Sequence, residues 1–587
     1  MLKLLKFLEK KDYLLIVLLI GFIVCQVWLD LTLPDYTKEL TQAISTETAT
    51  MGIVWKNGGM MLLCAVGSMA CAMASVFCCS KIAADFSKNI RTNLFDKVMS
   101  FSNQEMNSFS TPSLITRTTN DVVQIQMFIA MGLQMLIKAP ILAIWAICKI
   151  SSTRIEWTVA AMVVVLIIVV TVIVLVSLCL PKFRLIQKLT DKLNDTAREN
   201  ITGVRVVRAF NAEEYQENKF EKANDDITKT NLFTSRGMGL LNPVMTICMN
   251  GLTLAIYWIG AVLINKIAFT SSMESVMERA ELFANMAIFT QYAMQVVMAF
   301  MMLIMIFIIL PRTLVSAKRV NEVLDKDLSI KDGNIDKVND LGTIEFKNVS
   351  FSYSNDDHYA LTDLNFKINK GETVAIIGAT GSGKTTILNL INRYYDATKG
   401  EILVDGVNVK DYKEELLRNK IAIASQKAVL FKGDVKENIT YGCNNISDDD
   451  PKITKAIDIA HADFINEIEN GIHHNVSQGG TNFSGGQKQR ISIARTIFKD
   501  SEILAFDDSF SALDYKTDYL VRKSIKENLS DKTIIIIAQR IGTIKNADKI
   551  IVLDDGRISG IGTHDELINN NPVYKEIALS QLSKEEL

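Results

Sequence analysis

Eight consecutive residues, Gly378-Ala-Thr-Gly-Ser-Gly-Lys-Thr385, carry the most definite chemistry in this 587-residue chain. Gly378, Gly381 and Gly383 at this spacing let a loop curl until successive backbone N–H groups, and the start of the helix behind them, all face one anion. Thr380 and Ser382 complete the loop. Lys384 reaches the outer phosphates of a nucleotide, the Thr385 hydroxyl is placed for Mg²⁺, and Thr386 opens the helix. The pattern requires a strand before it, and Val374-Ala-Ile-Ile377 reads as one. A carboxylate must face the same cation, and Asp507 closes the apolar run Ile503-Leu-Ala-Phe-Asp507, where it is placed to hold Mg²⁺ through water.

Those residues need a sheet to hold them. From Ile344 onward, short β-branched runs alternate with helical patterns: Val374–Ile377, Ile421–Ala424, Ile503–Phe506, Thr533–Ile537 and Ile550–Leu553. Such alternation predicts an α/β domain around a largely parallel sheet.

The other half of the chain is built for lipid. Hydrophobic residues make up 49% of the whole, and six apolar stretches, near 13–33, 57–80, 129–150, 157–180, 240–265 and 282–310, each reach the roughly 20 residues that span a bilayer. Basic residues precede the first stretch (Lys3, Lys6, Lys10, Lys11) and follow the second (Lys81, Lys88, Arg91, Lys97) and the fourth (Lys182, Arg184, Lys188, Lys192). This bias places both termini and two long loops in the cytosol. The first eleven residues read as a surface-lying entry helix, and helices two to five should continue past the membrane. Lys138, beside Pro140, is expensive in lipid and calls for a water-filled cavity, a headgroup contact or snorkelling to the interface. Along the sixth stretch, Gln291, Gln295, Met298 and Met302 share one face, a soft lining for a substrate path or plain packing. Of nine cysteines, eight lie in apolar stretches and none has metal-ligand spacing. The net charge of −2, with no long basic run, gives no sign of a nucleic-acid partner.

Between the phosphate loop and Asp507 lies Asn482-Phe-Ser-Gly-Gly-Gln-Lys-Gln-Arg490. It resembles the signature of ATP-binding cassette (ABC) proteins, with Phe483 where that family usually has leucine. The resemblance implies a membrane α-helical domain of six transmembrane helices (residues 1–325), a linker (326–342) and an α/β P-loop nucleotide-binding domain (343–587). It further implies that Ser484, Gly485, Gly486 and Gln487 bind the γ-phosphate of a nucleotide held by another subunit, so that ATP and Mg²⁺ lie between two chains. By the same resemblance, Tyr353 stacks on adenine and Gln426 links Mg²⁺ to the membrane domain. Ser511–Asp514 crosses the dimer. Thr116–Asp121 and Thr202–Tyr215 in the long loops look like coupling elements, while Asn200–Phe210 and Ser316–Asp325 look like exporter sequence.

Three positions depart from the family pattern. Asp508 stands where a glutamate polarises the attacking water, and its shorter side chain withdraws the carboxylate by about 1.5 Å. A misplacement near 1 Å costs on the order of 10²-fold in rate. Gln539 stands where a histidine contacts the γ-phosphate, and Gln478 where exporters often carry glutamate. This pattern resembles the degenerate subunit of heterodimeric bacterial multidrug exporters. It implies a multi-pass protein of the cell membrane that pairs with a second half-transporter and exports hydrophobic small molecules, lipids or peptides. A homodimer with slow hydrolysis and a regulatory ABC protein gated by nucleotide binding both stay open.

Overall fold

The computed structural model describes residues 1–46, 50–151, 155–267, 273–339, 341–353, 358–443 and 445–581. They form two compact units, one of Met1–Met99 with Thr111–Lys326 and one of Ser100–Ser110 with Asp327–Leu587. The tip of the first long loop thus folds with the second unit.

In the first unit, six helices are long and apolar enough to cross a membrane: Lys10–Ser45, Met51–Met99, Thr111–Ser151, Ile155–Thr202, Glu213–Lys266 and Glu274–Leu324. At 1.5 Å per residue the fifth reaches about 80 Å, against a hydrocarbon core of about 30 Å. These helices therefore overrun any bilayer, the sixth included, which continues through Pro311 to Leu324. The entry segment is a short 3₁₀ helix of six residues, Leu2–Phe7, shorter than the amphipathic helix its sequence predicts. Leu4 is wholly buried, and Lys3 pairs with Asp325 at 2.7 Å.

Two stretches far apart in sequence meet in this unit. Arg117–Asp121 winds as a π-helical turn, a rare geometry. Side chains tie it to the end of the sixth helix. The Ser316 hydroxyl donates to the buried Asp121 carboxylate at 2.8 Å, Arg319 approaches it at 3.4 Å, and Arg117 donates to the Arg319 carbonyl (2.6 Å) and Glu322 (2.9 Å). Lys138 meets an acidic partner that its sequence position did not show. Its ammonium lies 3.6 Å from Asp30 of the first helix, whose other oxygen accepts from the Ser68 hydroxyl at 2.5 Å. An ion pair between helices offsets the cost that snorkelling would otherwise avoid.

The second unit is built on a six-stranded sheet in the order Arg557–Gly562, Lys549–Asp554, Thr373–Gly378, Thr533–Ile537, Ile503–Asp507, Ile421–Ala424. All neighbours are parallel except the first pair. The central strands are buried along their length, which is why they read as unbroken β-branched runs. A four-stranded antiparallel sheet, Leu361–Ile368, Ile344–Phe351, Lys399–Val404 and Val407–Asn408, packs beside it and was not distinguished in the sequence. In the parallel register Ile376 pairs with Ile537, and Ile537 with Asp507. Three strand ends carrying Gly378, Asp507 and Ala538-Gln539 therefore share one edge, the carboxyl end of the sheet, where α/β folds bind ligands.

Candidate nucleotide site

At that edge the chain turns from Gly378 into the helix Lys384–Ile391 through Gly381 (φ +87°) and Gly383 (φ +97°). Such angles belong to the left-handed region that glycine enters without strain. A side chain at Gly383 would also strike Leu361, whereas the space in front of Gly381 is open. Lys384 is buried and donates to the carbonyls of Gly378 (2.9 Å) and Ala379 (2.8 Å), so its ammonium lies folded across the loop. Burial holds its pKa below the ordinary lysine range, with Asp508 and Asp507 opposing.

A cavity of about 260 Å³ collects most of the predicted residues: Tyr353, Thr380, Gly381, Gly383, Lys384, Thr385, Thr386, Gln426, Asp507, Asp508 and Gln539 line it. Thr385 donates to Asp507 at 3.1 Å. Burial raises the pKa of Asp507, as does the charge of Asp508 beside it, and burial likewise raises that of Asp508. Two buried carboxylates that resist ionisation next to a threonine hydroxyl are the donor set a hard divalent cation would relieve. Ser382 sits in the same loop with a buried hydroxyl that has no hydrogen-bond partner. These features fit a triphosphate with Mg²⁺, which would supply the electrophilic phosphorus and neutralise the carboxylates when bound. Tyr353 stands at the rim, 49% exposed, its hydroxyl 2.9 Å from that of Thr386.

Asp508 has an unusual setting. Its backbone is left-handed (φ +49°), and its Oδ2 accepts from two neutral amides, Gln426 Nε2 at 3.4 Å and Gln539 Nε2 at 3.2 Å. Gln539 therefore faces Asp508 directly, a contact the linear sequence does not show. Two further glutamines hold this arrangement and were missed. Gln489 Nε2 donates to the Gln426 carbonyl at 2.8 Å, and Gln581 Nε2 donates to the Gln539 carbonyl at 2.7 Å. Gln489 lies inside the signature-like run, where its periodicity on the helix pointed inward. Nothing local marks Gln581, which lies in the turn just past the helix Pro572–Leu579.

Ser484, Gly485, Gly486 and Gln487 are not brought to this cavity. They form the start of the helix Gly485–Phe498, where Ser484 and Gln487 cap each other reciprocally (2.9 and 3.3 Å). Ser484 and Gly485 are exposed. Capping by an exposed serine leaves a helix N-terminus that attracts anions facing outward. Among the described residues no group of His, Cys, Asp and Glu could hold a further metal.

Comparison with known proteins agrees with this architecture. Residues 16–277 match the ABC transporter transmembrane region and residues 361–511 the ABC transporter family. An uncharacterized ABC transporter ATP-binding protein of Mycobacterium tuberculosis is 36% identical over 91% of this chain and 90% of its own length. Another, YfiB of Bacillus subtilis, is 33% identical over 91% and 90%. Among solved structures, a bacterial Atm1-family ABC exporter with ATP bound superposes with a TM-score of 0.79 at 24% identity, covering 97% of this chain and 98% of that one. With six spanning helices, a P-loop sheet and relatives aligned across both, the chain belongs to the ABC transporter family, as a membrane domain fused to its own ATP-binding domain.

Proposed function

We propose that this chain is one half of a heterodimeric ABC exporter and builds the slow ATP site of the pair. The carrying observation is the setting of Asp508. The carboxylate in the general-base position is one methylene short and held by two amides, neither of which can take up a proton. Lys384, Thr385, Gln426 and Asp507 would hold the nucleotide and its Mg²⁺, with Tyr353 against the base. Tight binding with little turnover is what such a site supports.

Two exposed features support a second chain. One is the outward-facing Ser484–Gln487 helix start, available to a nucleotide held by another subunit. The other is the short helix Val204–Ala209 of the second long loop, which buries none of its residues. Around it Ile201 (77% exposed), Val206 (61%) and Phe210 (78%) form an apolar tip that suits docking into a partner's ATP-binding domain. On this reading, ATP closes the two ATP-binding domains in the cytosol, the coupling helices carry that motion to the spans, and hydrolysis at the partner's site resets the cycle. The substrate is a hydrophobic or amphipathic molecule reached through the membrane domain.

Phosphate release by the purified chain, alone and with its candidate partner, tests the reading. Turnover that needs the partner, survives Asp508→Asn and is lost with the partner's own catalytic carboxylate supports the asymmetric pair. Robust turnover by the chain alone that Asp508→Asn abolishes replaces it with a homodimer, which the intact phosphate loop and signature would also allow.

A further inference from the structure

The segment Ser100–Ser110 belongs to the ATP-binding unit, and its short helix Asn103–Ser108 is fastened there by Glu105. One carboxylate oxygen accepts from the Ser102 amide at 2.8 Å, and the other from the Ser329 amide at 3.0 Å. Two residues further along the linker, the Lys331 carbonyl accepts from Arg393 at 2.8 Å. Arg393 is buried and also pairs with Asp396 at 3.1 Å, so that it fixes the loop on both sides of Tyr395. One short piece of linker thus holds the helix and the Tyr395 loop together.

Between them runs a chain of direct contacts. Asn107 Nδ2 donates to the Tyr395 hydroxyl at 3.1 Å. The Tyr395 ring meets Tyr353 edge to face, with centroids 5.1 Å apart and planes at 88°. Phe351 meets Tyr353 edge to face as well, at 4.7 Å and 82°, and lies 5.5 Å from Tyr395, so the three rings form one cluster. The Tyr353 hydroxyl reaches Thr386 beside the phosphate loop.

We propose that Tyr395 is a positioning residue that reports an occupied base site, through Tyr353, to the helix Asn103–Ser108. The inference rests on the reading of Tyr353 as the surface for the nucleotide base. An edge-to-face pair depends on ring orientation. A base laid on the exposed side of Tyr353 stops that ring from turning, which fixes Tyr395 and strengthens its bond to Asn107. The chain continues from this helix directly into the second and third spanning helices. The signal needs the base and not the γ-phosphate, so a site that binds without turning over still sends it.

Hydrogen exchange of residues 101–110 in the full-length protein, reconstituted in lipid nanodiscs, tests this with three probes: MgATP, MgADP and magnesium tripolyphosphate. Both nucleotides are expected to slow exchange by about two- to tenfold, the range of one hydrogen bond or aromatic pair, and tripolyphosphate is not. Tyr395→Phe keeps the ring pair and loses the hydroxyl. It should hold ATP affinity within about twofold of the parent while the protection disappears, and Asn107→Leu should do the same. Protection in Tyr395→Phe equal to the parent, or equal protection by tripolyphosphate, overturns the relay. Unchanged ATP affinity in Tyr353→Leu overturns the base-site reading itself, and the relay with it.

Discussion

Replacing Asp508 with glutamate should speed hydrolysis, and the structure allows the size of the effect to be worked out. Oδ2 of Asp508 is held by Gln426 and Gln539 at 3.4 and 3.2 Å, long contacts that yield readily to a larger side chain. One methylene advances the carboxylate by about 1.5 Å into the cavity. Displacements near 1 Å change rates on the order of 10²-fold, or about 2.7 kcal/mol of barrier at 1.36 kcal/mol per tenfold. Against this stands the backbone. At φ +49° aspartate is tolerated better than glutamate, and the exchange costs roughly 1 kcal/mol. That cost falls on the stability of the fold and not on the barrier, so activity and melting should move in opposite directions. Phosphate release and thermal unfolding of the chain in nanodiscs, alone and with a candidate partner, read both. We expect Asp508→Glu to raise turnover at this site 10- to 100-fold with a slightly lower Tm, and Gln539→His added to it to raise turnover further. A rate unchanged or lowered by Asp508→Glu would refute the argument from reach.

Three other outcomes follow from the geometry. Lys420 is buried between Asp405 (2.9 Å) and Glu502 (2.8 Å), so Lys420→Met removes the cation these two carboxylates share and should cost about 3–5 kcal/mol, read as a lower Tm of the ATP-binding unit within the full chain. Asp121→Leu strands the Ser316 hydroxyl and frees Arg319, for a loss of about 1–3 kcal/mol, while Asp121→Asn, which keeps an acceptor for Ser316, should lose less; the comparison of their melting curves checks it. His473 bonds Asp434 and Asp448, and these bonds raise its pKa above the ordinary histidine value. Its stabilising contribution is therefore complete below about pH 6.5 and lost as pH rises through the raised folded value. A histidine NMR titration should show the upward shift, and His473→Gln should remove that part of the pH dependence of Tm.

The sequence by itself determined the six spans, the parallel strands and the phosphate loop. Each of these is written locally: twenty apolar residues need no partner to prefer lipid, and a glycine pattern between a strand and a helix dictates its own curl. The sequence also placed Asp508 and Gln539 as departures from a family pattern. Tertiary structure alone decided that they touch, because the register aligning Ile537 with Asp507 brings two strand ends side by side. It likewise joined Lys138 to Asp30, Arg117–Asp121 to the end of the sixth helix, and Asn107 to Tyr395 across 288 residues. None of these pairs has a local signal, since a charge or an amide in sequence states what it needs and not which distant element will supply it.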